Sequence, residues 1–177
     1  KNVEWLPLAC CPEAHLSYKE FVRKQVLEPS KIDLTEQWDW AFVGYMQDNR
    51  TEGYNNRIDY LDALQKAIPN GRIAVNRFFE AMALVYCKAR LGFNISIKKD
   101  LNMRVFEVLS TGVPLLTNRN VHGIGDLFID GVDYFGYDGP EEMVETAKLA
   151  LMDEKMRRTI GENGFNRVRA YHTYRHR

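Results

Sequence analysis

The chain has 177 residues, 45% hydrophobic and 27% charged, which supports a real core and excludes a disordered chain. Lys plus Arg and Asp plus Glu are both 24, so no global basic excess points to nucleic acid. Cys10, Cys11 and Cys87 show no metal-ligand or redox spacing, and there is no secretory leader or apolar run of about 18 residues, so a reduced, cytoplasmic protein is expected.

Lys1 to Gln37 does not fit the pattern of the rest and reads as a linker or edge addition. Because the chain opens in mid-pattern at Lys1-Asn2-Val3, a piece of a longer polypeptide is expected. Within that segment Ser17-Tyr18-Lys19-Glu20 fits a capping box, with a helix of about ten residues after it. Trp38 to Gly44 reads as the first core strand, followed by a Gly44-Tyr45-Met46-Gln47 turn and a polar loop, Asp48 to Asn56. Arg57 to Ile68 puts Ile58, Leu61, Leu64 and Ile68 on one helical face and is stopped by Pro69-Asn70-Gly71. A strand at Arg72 to Val75, a helix at Phe78 to Ala89 and a strand at Phe93 to Ile97 follow. The spacing then predicts a helix over Met103 to Ser110 closed by Gly112, and a strand over Val113 to Thr117. Gly123 to Phe128 reads as a helical turn and Val132 to Tyr137 as a strand. Pro140 opens a helix at its favoured first-turn position, with Glu141 and Glu142 at the positive end. A last helix spans roughly Glu154 to Ala170, with a break near Gly161 or Gly164. Alternating strands and helices imply an α/β fold: a Rossmann-like, doubly wound parallel sheet with helices on both faces.

In such a sheet, ligands bind where the carboxyl ends of the strands meet helix N-termini. The polar loop Lys98-Lys99-Asp100 and the helix start at Asn102-Met103 lie at one such end, where free N–H groups and the helix dipole favour an anion. Lys98 and Lys99 could neutralise a diphosphate, or be plain solvated charge. Arg104 and Glu107 are three residues apart on one helix face. Glu107 could accept hydrogen bonds from both hydroxyls of a ribose, or simply pair with Arg104. Gly44 and Tyr45 follow the first strand, and a glycine there permits close backbone approach to a ligand or just a tight turn. Asn76 and Arg77 end the second strand and could border a base. Asn118, Arg119, Asn120 and His122 follow the fourth strand at the same edge. His172 and His176 could share a helix face but have no third metal ligand, so no metal is expected. No Walker A, GxGxxG or GxSxG pattern occurs, which argues against P-loop, ordinary dinucleotide and serine-hydrolase chemistry.

RVFEVLSTGVPLLTN (residues 104–118) resembles the donor-binding segment of group 1 glycosyltransferases with the two-domain GT-B fold. WAFVGY at the first strand is similar too. So is the tail, DGPEEMVETAKLALMDEKMRRTIGENGFNRVRAYHTYRHR, which looks like the spore-maturation (CgeB-like) branch. The resemblance covers roughly residues 38–177 and implies the C-terminal, nucleotide-sugar-binding domain, with residues 1–37 joining it to a missing N-terminal Rossmann-like domain. It implies that Glu107 holds the donor ribose, that the helix start near Asn102 and Met103 faces the diphosphate, and that Lys98 or Lys99 assists. Many members carry an earlier glutamate where this chain has Lys99, a departure that leaves the sugar contact open.

The resulting expectation is the donor half of a metal-independent hexosyltransferase. It would have no cofactor, its catalytic residues would lie on the missing domain, and the isolated chain would turn over little. The acceptor is unknown. Neither a nucleic-acid partner nor a membrane span is expected. Aromatic residues uncovered by the missing domain, among Trp5, Tyr171 and Tyr174, could drive self-association. Two other classes remain: a non-catalytic nucleotide-binding or interaction module of the same fold, and a receiver-type signalling domain. The last lacks its acidic cluster here.

Overall fold

The computed structural model describes residues 5–27, 33–46 and 57–177. Five strands form one all-parallel sheet in the order β2-β1-β3-β4-β5: β1 (Trp38–Val43), β2 (Gly71–Ala74), β3 (Ala89–Phe93), β4 (Leu115–Asn118) and β5 (Phe135–Tyr137). The helices are α1 (Tyr18–Leu27), α2 (Arg57–Ala67), α3 (Phe79–Cys87), α4 (Met103–Thr111), α5 (Ile124–Leu127), α6 (Pro140–Met152) and α7 (Glu154–Tyr171). The doubly wound α/β expectation therefore holds. One apolar cluster packs α3 and α4 against one face of the sheet, through Met82, Tyr86, Val105, Phe106 and Leu109. A second packs α2 and α6 against the other, through Leu61, Leu64, Met143 and Ala147. Burying both faces is what permits near-continuous apolar strands such as Trp40–Val43.

The capping box at the start of α1 forms as read. Glu20 Oε2 accepts from the Ser17 N–H at 2.7 Å and from the Ser17 hydroxyl at 2.8 Å. Helix α4 ends where expected, with Gly112 left-handed at φ 80°. Three boundaries differ from the sequence reading. Strand β3 begins at Ala89 rather than Phe93, because its register to β1 (Trp38↔Ala89, Trp40↔Leu91) decides the pairing. Residues Asn94 to Ile97 are loop, with only the Asn94 N–H continuing the ladder to Leu116. Strand β5 is only Phe135–Tyr137, since Val132 and Asp133 form a turn closed by bonds to the Ile129 carbonyl.

Helix α7 also differs, being continuous through both glycines. Gly161 and Gly164 are contact points rather than breaks. A Cβ at Gly161 would lie 2.9 Å from the Gly112 carbonyl oxygen, and one at Gly164 would lie 2.4 Å from that of Asp133. Close backbone approach explains both residues.

The segment before β1 is packed onto the sheet domain. Phe21 and Leu34 bury against Ala83 and Cys87 of α3. Cys10 bridges to Thr173, with its N–H on the His172 carbonyl and its own carbonyl accepting from the Tyr174 N–H, both at 3.0 Å.

Candidate functional site at the strand-order reversal

The sheet runs outward from β1 to β2 on one side and from β3 to β5 on the other. The crevice between the loops after β1 and β3 is therefore the topological switch point, where open α/β sheets take ligands. The loops bearing Gly44, Tyr45, Asn76, Arg77, Lys98, Lys99, Asn118 and the α4 start all emerge at this carboxyl edge because every strand is parallel.

At the crevice floor Tyr86, on α3, accepts the Val43 N–H on its hydroxyl at 3.1 Å. Burial pushes this phenol up to about 12, with Arg104, Glu107 and Arg57 all within electrostatic reach. Arg104 Nη1 sits 3.0 Å from Glu107 Oε2, so the i,i+3 pair forms. Glu107 is largely enclosed, its side chain 12% exposed. Burial pushes its carboxyl above the usual range, and Arg104 pulls it back only in part. A desolvated carboxylate held beside one cation keeps acceptor lone pairs for a ligand.

Arg57, a plain helix boundary in the sequence pattern, stands at the start of α2 and lies in this crevice. Its guanidinium donates to the Tyr45 carbonyl and stacks over Phe42 at 5.3 Å. Burial and the Arg104 charge push its pKa down. Its Nε is buried without a partner, as is Asn102 Oδ1; with Arg169 Nε these are the three such atoms among the described residues. Asn102 takes the cap position of α4 with extended backbone, but its side chain does not cap the helix. Met103 is partly exposed beside it. Two orphaned polar atoms, one at the start of α2 and one at the start of α4, are groups that a polar ligand could complete. The only signal for Arg57 in the sequence was a cation after a strand's loop, which is too common to single out.

Other candidates take different parts. Lys98 and Lys99 are exposed, and Lys99 is left-handed at φ 57° with its carbonyl accepting from the His122 N–H. Asn118 is buried and committed to bracing the loops. Its Oδ1 accepts from the Ser96 N–H at 2.8 Å, and its amide donates to the Ser96 carbonyl and to Asn120 Oδ1. Arg119 is held by Asp130, Asp138 and Glu142, an ion network outside the crevice. Gly44 is required by Phe42, whose ring atom Cζ would lie 2.5 Å from an added Cβ. Asn76 and Arg77 lie past the end of β2, both exposed, with Asn76 at φ 53°. Tyr45, Phe78 and Phe79 are about two-thirds exposed on the same edge.

His172 and His176 do not face a common ion. His172 packs edge-on to Phe128 and Phe106, while His176 Nδ1 lies 3.2 Å from the Thr173 N–H it accepts. Among the described residues, no group of three or more His, Cys, Asp or Glu could hold a metal ion, and no helix is long and apolar enough to cross a membrane.

A cavity of about 580 Å³ lies at the opposite edge of the sheet, against Ala89, Val113 and Pro114. Its arginines are already bonded. Arg157 donates to the Ala150 and Leu151 carbonyls, and Arg90 binds Asp39 and the Leu151 carbonyl. The orphaned polar groups, by contrast, lie at the carboxyl edge.

Among solved structures, the chain is similar to sucrose-phosphate synthase from Thermosynechococcus elongatus, at 14% identity and TM-score 0.65, over 96% of this chain and 48% of that one. It is similar to HepE of Anabaena, determined in complex with UDP and glucose, at 12% identity and TM-score 0.65, over 93% of this chain and 51% of that one. It is similar to the C-terminal domain of the group 1 glycosyl transferase LpcC from Francisella tularensis, at 11% identity and TM-score 0.63, over 94% of this chain and all of that domain. The chain thus spans about half the length of the first two. At these identities the likeness shows a shared fold, that of GT-B neighbours. No curated protein matches the sequence. The family model described as glycosyl transferase-like matches residues 32–177, and the chain belongs to that family.

Proposed function

We propose that this chain is the donor-binding half of a glycosyltransferase that moves a hexose from a nucleoside diphosphate sugar to an acceptor hydroxyl. The observation that carries the reading is the enclosed Glu107 carboxylate at the switch point, paired with Arg104. Glu107 would accept from the two ribose hydroxyls. The α4 start at Asn102 and Met103, with Arg57 and Arg104, would face the diphosphate, and Lys98 and Lys99 would add long-range attraction. Leaving-group charge would then be met by a helix dipole and guanidinium groups, so no metal or cofactor is needed. Membership of the spore-maturation branch rests on the tail motif and the Lys99 position.

On this reading residues 38–177 are the donor domain and residues 1–37 the join to a second Rossmann-like domain. That domain would lie over the carboxyl edge, where Tyr45, Phe78 and Phe79 stand exposed. Trp5, Tyr171 and Tyr174 are exposed too and could support self-association when it is absent. A cytoplasmic location fits a nucleotide-sugar donor.

The test is a thermal-shift and calorimetric screen against UDP, GDP, ADP, CMP and TDP and their common sugars. A midpoint shift with one nucleotide, lost in Glu107→Ala, is the expected result. Binding left unchanged in Glu107→Ala would remove the ribose role. The second reading, a module that kept nucleotide binding and lost transfer, is favoured by Lys99 in place of a family glutamate. It predicts binding without turnover in the full-length parent.

A further inference from the structure

Glu107 has a second neighbour, one far from it along the chain. His15, in the segment before α1, places Nε2 3.6 Å from Glu107 Oε1, on the side of the carboxylate away from Arg104. The His15 side chain is only 4% exposed. Its Nδ1 accepts the Cys11 N–H at 3.2 Å, which leaves the proton on Nε2, facing the carboxylate. The ring is also anchored through its own backbone. The His15 carbonyl accepts from the Ser110 hydroxyl at 3.1 Å and from Arg169 Nη2 at 3.0 Å. Arg169 in turn grips both oxygens of Glu20 and the Ser110 carbonyl. Helices α1, α4 and α7 thus converge to fix one imidazole.

We propose that His15 is a positioning residue for Glu107: its Nε2–H holds Oε1 while Arg104 holds Oε2, so that the remaining lone pairs point at the ribose hydroxyls of the donor. The proposal rests on the ribose reading of Glu107. It makes the segment before the first strand part of the donor site rather than a tether. The 3.6 Å separation is longer than a hydrogen bond, as is common for such contacts before a ligand closes the site. Burial, with the Arg169 and Arg104 charges, pushes His15 down to about 4, so the ring is neutral near pH 7 and acts as a hydrogen-bond donor without becoming a second cation.

The test compares wild type, His15→Phe and His15→Gln. Phenylalanine keeps the ring volume without the donor, and glutamine keeps a donor near the Nε2 position. UDP, GDP and ADP are titrated by NMR to millimolar concentration, and the one that binds is compared with its 2′,3′-dideoxy counterpart. Wild type is expected to prefer the ribose form. His15→Phe should lose about three- to tenfold in affinity for that form only, the worth of one hydrogen bond, and His15→Gln should recover most of it. An equal loss for both ligands, or none, would overturn the proposal in favour of a purely structural histidine. If wild type binds neither form, or both alike, the ribose reading itself fails. The pinning is then judged by carbon-13 titration of the Glu107 carboxyl: a rise in its midpoint in His15→Phe supports it, and an unchanged midpoint overturns it.

Discussion

The two edges of the sheet are built on opposite principles. At the amino edge α7 meets the backbone after α4 through Gly161 and the turn before β5 through Gly164, and the arginines around the cavity are all bonded. At the carboxyl edge two buried polar atoms lack partners, and the three non-glycine residues with positive φ among the described residues, Asn76, Phe79 and Lys99, are gathered there. Left-handed backbone at non-glycine residues costs of order 1–3 kcal/mol each and persists where the surroundings impose it. Strained backbone and unmet hydrogen bonds gather at one edge, while a cavity lined by bonded arginines lies at the other.

The comparison can be broken most sharply with acid. His15 is held down to about 4, against 6.5 in the unfolded chain, so the unfolded state binds its proton first. The contribution is complete above pH 6.5 and is lost as pH falls from there towards 4, up to about 3 kcal/mol. Glu107 works the other way, because its raised carboxyl favours the folded state as pH falls, and offsets part of the loss. Urea midpoints measured from pH 7.5 to 4 should therefore drop, and His15→Phe should flatten the slope. A wild-type profile with no slope in that window would break the assignment of a buried neutral histidine.

Gly164→Ala comes next. Its Cβ would press on the Asp133 carbonyl and on Leu109, so we expect about 2–3 kcal/mol of destabilisation by urea unfolding. Nucleotide affinity of the remaining folded fraction should be unaltered. A selective loss of nucleotide binding would mean that the amino edge is not purely structural.

Glu107→Ala should do the reverse, weakening nucleotide binding by about 1–3 kcal/mol in calorimetry while leaving the urea midpoint nearly in place. The smallest effect is expected for Arg158→Ala at the cavity mouth. Its exposed i,i+4 pair with Glu154 is worth roughly 0.3–0.5 kcal/mol. Neither stability nor nucleotide affinity should move beyond that, and a large change in affinity would make the cavity a ligand site after all.

Parts of this molecule are written in short spans of sequence. Ser17 and Glu20, Arg104 and Glu107, and Gly112 after its helix all act over three to five residues, and each forms as read. The order of strands and helices and the apolar faces of α2 and α4 follow from hydrophobic period, which any sequence carries openly. The start of β3 did not follow from it, because Ala89 to Phe93 continues a helical apolar pattern and only pairing with β1 tells the two apart. The glycines of α7 misled for a similar reason. A glycine that ends a helix and a glycine that lets two backbones touch look the same until the neighbour is known.

The candidate site divides in the same way. The sequence by itself determined the doubly wound class, the helix that carries Glu107 and Arg104 on one face, and the edge of the sheet at which they emerge. Only the tertiary structure decided that Arg57 joins them, that Asn118 is spent on bracing two loops, and that His15 reaches Glu107 from far along the chain. Local hydrogen bonds and helical period act between near neighbours and can be read in order. Burial, orphaned polar atoms and a histidine's tautomer are fixed by residues brought together from distant elements, and no spacing in the sequence encodes them.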